Sequence, residues 1–117
     1  MSYLLFLDDI RTPDQVTWIK FPKNLDTCIV ENFDSFTKQI TTMGMPDFIC
    51  FDHDLAIEHY VADYVNSKTG YDCATWLVDY CRANNCKFPN YVVHSMNPVG
   101  KERIIRYIES SKKHYGI

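Results

Sequence analysis

No apolar run in this chain approaches the length needed to cross a membrane. Nor is there an excess of basic residues: 12 Lys and Arg stand against 15 Asp and Glu, a net charge of −3. That argues against a broad basic surface for duplex nucleic acid, while leaving room for a local basic pocket. C-x-x-C pairs are missing, and the five cysteines are an odd count. A zinc site therefore lacks its usual ligand spacing. Reduced, buried cysteines in a cytoplasmic protein are the expectation. A signal peptide is not expected, since Met1 is followed almost at once by a strand-like run. Repeats, linkers and low-complexity tracts are also missing, so one domain over residues 1–117 is expected.

What is present is a globular composition, 46% hydrophobic and 23% charged. A chain of 117 residues can bury a core without disulfide or metal staples. "YLLFL" at 3–7 is a continuous apolar run, which suggests a strand covered on both faces. Residues 10–26 hold Pro13 and Pro22 and no helical period, so they read as an irregular connection. "TCIVE" at 27–31 is a second strand. Phe33, Phe36, Ile40 and Met43 then recur at helical spacing, with Asn32 as N-cap and Gly44 as the stop. A third strand is expected at 48–52 and a fourth at 91–95. Residues 55–68 fit either a short helix or a loop. Thr69 and Asp72 form a capping-box pattern for a helix carrying Tyr71, Ala74, Leu77, Val78 and Cys81 on its apolar stripe, and ending at Asn84 and Asn85. Asn97 and Pro98 start a last helix, buried through Ile104, Ile105 and Ile108. The alternation predicts an α/β fold: a small, open, mainly parallel sheet of about four strands with flanking helices.

Three of the four strands run out into polar chemistry. The first ends in Asp8 and Asp9, the third in "DHD" (Asp52, His53, Asp54), the fourth in His94 and Ser95. Ligands of open α/β sheets bind beyond the carboxyl ends of the strands, and neighbouring strand ends lie ~5 Å apart. Asp is also a common cap and turn former, but "DD" plus "DHD" after apolar strands favours a shared site. Convergent carboxylates need a cation or a held proton. Oxygen ligands point to Mg²⁺ or Mn²⁺, with Asp8, Asp9 and Asp52 as the candidate set. His53 and His94 are the acid–base candidates, since His titrates near neutral pH. His59 and His114 read as surface residues.

"HSMNPVGKERI" places a helix start directly after a strand. The N–H groups of Val99, Gly100 and Lys101 would be left open by the helix and could take a phosphate. Gly100 would let the ligand approach, and Lys101 and Arg103 would add charge. An ordinary capped helix with solvated charges is the alternative. Arg11, after "DDI", either reaches a phosphate or lies on the surface. "TGYD" is expected to cover the pocket, with Asp72 capping or pointing inwards. Tyr60, Tyr64 and Tyr71 are stacking candidates for a base, although their helical spacing equally suits packing.

"LFLDDIRTP", "FDHDL", "TGYD" and "VHSMNPVGKERI" together resemble the cyclic-phosphate processing receiver domain family, over nearly the whole chain and in the family's order. The resemblance implies a receiver/flavodoxin-like fold. It implies that Asp8 and Asp9 match the acidic pair that holds Mg²⁺ in receivers, that Asp52 falls at their phospho-accepting position, and that Ser95 falls near their hydroxyl position. His53 and Asp54 have no counterpart in ordinary receivers. The fifth strand and its Lys are missing, and 10–26 replaces the long first helix; both argue against phosphotransfer signalling. His94 and Asn97 fit the enzyme family.

The function so implied is a phosphoesterase acting on a 2′,3′-cyclic phosphate of an RNA end or a nucleotide. Asp52, Asp54, His53 and His94 would be its catalytic residues, with Asp54 orienting a His. Arg11, Ser95, Asn97, Gly100 and Lys101 would bind phosphate. The alternatives are a non-catalytic binder of a cyclic nucleotide or phosphorylated ligand, and a divergent receiver phosphorylated on Asp52.

Overall fold

A computed structural model describes residues 2–55 and 68–117. Tyr3–Leu7 (β1) is buried at all five positions, as a central strand covered on both faces must be. It pairs with Asp26–Val30 (β2) on one side and Phe48–Phe51 (β3) on the other, and β3 pairs with Asn90–Val93 (β4). All pairings are parallel and the order is β2-β1-β3-β4. Among the described residues three α-helices accompany the sheet: Phe33–Met43 (α1) between β2 and β3, Gly70–Asn84 (α2) between β3 and β4, and Pro98–Tyr115 (α3) after β4. This is the receiver/flavodoxin-like α/β arrangement that the sequence led one to expect.

Alternation along the strands divides the core. Tyr3, Leu5, Leu7, Ile49, Phe51 and Val93 meet the helices through Phe36, Ile40, Leu77, Val78, Ile104 and Ile108. Leu4, Phe6 and Cys50 point to the opposite face, where Val16, Ile19, Phe21 and Leu25 cover them. The irregular connection is therefore a second layer rather than a loose loop; its only helical piece among the described residues is a 3₁₀ turn at Pro13–Gln15.

The caps behave as their residue types demand. Asn32 accepts from the Ser35 N–H at 2.9 Å, and Gly44 stops α1 at φ 90°. At α2, Thr69 accepts from the Tyr71 N–H and Asp72 takes the Thr69 N–H at 2.7 Å, so Asp72 caps rather than points inwards. Tyr71 packs on Tyr107 with the Arg103 guanidinium 3.9 Å from its ring, a packing role. His114 is exposed, as read. His59, Tyr60, Tyr64 and most of the ambiguous 55–68 segment lie outside the described residues. None of the five cysteines is joined in a disulfide. No helix among the described residues is long and apolar enough to cross a membrane.

Candidate functional site

Asp8, Asp52 and His94 each sit one residue past a strand end, and each extends the sheet ladder by one bond. Asp8 N–H donates to Val30 O, Asp52 N–H to Leu7 O, and His94 N–H to Phe51 O, at 2.9–3.1 Å. β4 stops at Val93, so His94 and Ser95, expected inside the strand, lie beyond it. Strand alternation aims the three side chains the same way. They continue the register of Phe6, Cys50 and Val92, on the face covered by the irregular connection. His94 accordingly stacks on Phe6, with ring centres 4.7 Å apart.

The result is a buried cluster whose ligand-type atoms all lie within 4.8 Å of one another. His94 Nε2 donates to Asp8 Oδ2 at 3.0 Å, and both side chains are fully buried. Asp8 Oδ1 accepts from the N–H groups of Ile10 and Arg11, at 2.9 and 3.0 Å. The Arg11 guanidinium lies 3.6 Å from Asp8 Oδ2. Burial pushes the Asp8 carboxyl up, but its hydrogen bonds from His94, Arg11 and Ile10 outweigh this and hold it below the ordinary value. Asp52 goes the other way. Burial first, then the Asp8 charge, push it up to about 6, against the opposing effects of His94, the His53 N–H and Ser95.

Two carboxylates with an imidazole, buried together, suit a divalent cation, and a bound cation would relieve the repulsion that raises Asp52. The imidazole makes the set less Mg²⁺-like and more suited to Mn²⁺ than all-oxygen ligands would be. Asp9, half-buried, falls outside this group, and His94 takes the place the sequence reading gave it.

Beside the cluster opens a cleft of about 320 Å³. Arg11, Asp52, Asp54, Ser95 and Asn97 supply its polar wall, and Ile10 and Met96 the rest. Neither histidine is on that wall. His94 is fully buried, against Phe6 and Asp8. His53 Nδ1 donates to Asp54 Oδ1 at 2.8 Å, so His53 reaches the cleft only through Asp54. Asn97 Nδ2 holds the other Asp54 oxygen at 3.2 Å.

The start of α3 differs from expectation. The Gly100 N–H donates to Asn97 Oδ1 at 3.0 Å and the Lys101 N–H to Asn97 O at 2.8 Å, so two of the three N–H groups are already used. Gly100 makes room for His53 instead of a ligand, since a Cβ there would fall 2.4 Å from the His53 ring. Lys101 lines a separate groove along β4 with Tyr91 and Ile105. Asn97 thus ties the helix start to Asp54. Asn97→Ala is expected to lower stability by ~1 kcal/mol, the usual value of an N-cap, as measured by urea unfolding. A loss below ~0.3 kcal/mol would mean that solvent replaces both bonds.

The family model of the cyclic-phosphate processing receiver domain matches residues 3–110. The chain belongs to that family. No curated protein and no solved structure shows a significant match to it. Within this family frame, Asp8 and Asp52 hold the strand-end positions anticipated for them. The cleft-wall residues Ile10 and Met96 were not singled out in the sequence. Their signal was available, as apolar residues on connections next to the strand-end acids.

Proposed function

We propose that this receiver-like domain is a phosphoesterase that opens a cyclic phosphate, such as the 2′,3′-cyclic phosphate of an RNA end or a nucleotide. The observation that carries the reading is Asp52, a buried carboxyl raised to about 6, shared between a metal-competent cluster and the wall of the cleft. The family match supports the substrate class.

Asp8, Asp52 and His94 would hold the cation, which would supply Lewis-acid polarisation of the phosphoryl oxygens. The chain's own groups do the rest. Arg11 presents a fixed positive charge on the cleft wall for the phosphate and for the charge developing on the departing ribose oxygen. Asp54 faces the cleft with His53 and Asn97 fixing its two oxygens, and accepts the proton of the attacking water as the P–O bond to the ribose breaks; the freed ribose oxygen takes its proton from solvent in the cleft. His53 stabilises the protonated dyad from behind. His94 acts through Asp8 and not on the substrate. The acid–base work thus passes from the two histidines to the Asp54–His53 pair.

The seclusion of both histidines also favours a second reading, a pocket that binds such a ligand without turning it over. ³¹P NMR of 2′,3′-cyclic nucleotides separates the two, with Mn²⁺, Mg²⁺ or EDTA present. Ring opening that falls at least ~100-fold in Asp54→Asn is the expected result. A shifted but unconverted signal would leave only the binder. Turnover unaffected by Asp54→Asn and by Asp52→Asn would remove the phosphoesterase reading of this cleft.

A further inference from the structure

The mouth of the cleft is unusually apolar for a site built from acids and an arginine. Ile10 and Met96, both on its wall, are 68% and 65% exposed. Trp18 is 44% exposed and is tied to the same place by two contacts. Its indole N–H donates to the carbonyl of His94 at 3.1 Å, next to the cleft residue Ser95. The Arg11 guanidinium, also on the cleft wall, lies 5.7 Å from the centre of its ring. Large apolar side chains left in water carry a cost that a soluble protein normally avoids by burying them. Ile10 and Trp18 come from the β1–β2 connection and Met96 from the link between β4 and α3; Ile10 and Met96 line the cleft, and Trp18 stands beside it through Arg11 and the His94 carbonyl.

The Trp18 ring is also held. Its N–H is already used, so one edge is fixed to the backbone after β4. A large flat ring with little freedom left loses little on contact with a planar partner. Apolar flat surface beside phosphate-type charge matches a nucleotide, whose base has a π-face next to an anionic phosphate. An inorganic or sugar phosphate lacks the π-face that a stack on Trp18 would use.

We propose that Trp18, with Ile10 and Met96, forms a stacking platform for the nucleobase of a nucleotide whose phosphate lies at Arg11 and the acidic cluster. The platform rests on the cyclic-phosphate reading for the position of the phosphate. It narrows the ligand to base-bearing cyclic phosphates and makes Trp18 the residue that selects them. Arg11 serves both parts, since it lines the cleft and its guanidinium lies 5.7 Å from the centre of the indole.

The test compares two ligands of the full chain by calorimetric titration: a 2′,3′-cyclic nucleotide and ribose 2′,3′-cyclic phosphate, which lacks the base. The nucleotide is expected to bind at least about 10-fold more tightly, the scale of one base–aromatic stack. Trp18→Ala should remove that preference and leave affinity for the base-free compound unchanged. Trp18→Phe, which keeps a ring but loses the N–H bond to His94, should keep most of the preference. A preference lost equally in the Phe and Ala variants would make the indole a structural strut and overturn the platform. Equal affinity of the parent protein for both compounds would overturn the platform while the cyclic-phosphate reading stands. If neither compound bound, with or without Mn²⁺, both would fall together.

Discussion

Asp52→Asn is expected to stabilise the metal-free protein at pH 8 by roughly 3 kcal/mol, on the order of 10 °C in Tm. The Asp52 carboxyl moves from 3.8 to about 6 on folding. The folded state therefore holds this proton more tightly than the unfolded chain does. Below the unfolded value both states are protonated and nothing is lost. As pH rises from about 4 to 6 the folded state must give up a proton it favours, so stability falls. Above about 6 the whole penalty is present. Asn has the same shape, carries no charge to desolvate, and can donate to Asp8 rather than repel it. Asp8 has the opposite sign. Its carboxyl is held low, so its contribution is present above the ordinary carboxylate value and is lost as pH falls through the lowered one. The parent should thus show a descending limb between pH 4 and 6 that the variant lacks, while both keep the acid limb of Asp8.

Metal closes most of that gap. A cation that binds only the folded state stabilises by about 2.7 kcal/mol at a hundred times its Kd. Mn²⁺ should therefore raise the Tm of the parent, and the response should largely vanish in Asp52→Asn, which has lost a ligand charge. Thermal melts at pH 4, 6 and 8, with EDTA and with Mn²⁺, measure both effects. Identical pH profiles for parent and variant would mean that neither burial nor the Asp8 charge raises the Asp52 carboxyl on folding. An identical Mn²⁺ response would place the cation elsewhere.

Much of this arrangement was legible before any coordinates. Apolar strands with abrupt acidic ends gave the sheet, and Asn32, Thr69 and Asn97 gave the helix starts, because capping is local chemistry. What escaped was non-local. The Asn97 cap, an i to i+3 bond from the Gly100 N–H, is local and partly closes the helix end inferred for phosphate; what no local pattern shows is that Gly100 packs against His53. The preference for Asp9 over His94 in the metal set had a readable correction. Asp8 continues the face of Leu4 and Phe6, Asp52 that of Phe48 and Cys50, and His94 that of Val92, whereas Asp9 falls on the opposite parity. The irregular segment 10–26 was placed correctly as a connection. Its role as the second core layer, and as the carrier of Trp18, depends on contacts up to 76 residues apart in sequence. The burial of His94 has the same origin, since the Phe6 ring that covers it lies on another strand.

Gly70→Ala is expected to be among the most damaging single changes in the chain. A Cβ at Gly70 would stand 1.7 Å from the carbonyl oxygen of Asp52 and 2.7 Å from its carbonyl carbon. The Gly70 N–H donates to His53 O at 2.8 Å, so the two backbones are locked at this separation. The obstacle is main chain, which cannot rotate away as a side chain can. Either α2 lifts off the end of β3, or the Asp52 backbone moves and takes its carboxylate out of register with Asp8 and His94. The first loses packing of Cys73, Ala74 and Leu77 against the sheet; the second dismantles the site. A loss of ~4 kcal/mol or more by urea unfolding, or failure to fold, is the expected outcome. Gly100→Ala supplies the comparison. There the Cβ meets the His53 ring, a side chain able to turn, and a cost of ~1–3 kcal/mol is expected with the fold retained. Because that turn would carry His53 off Asp54, this milder variant should disturb proton transfer more than stability. If Gly70→Ala unfolded within ~1 kcal/mol of the parent, the close approach of α2 to Asp52 would not be the contact that fixes the carboxylate.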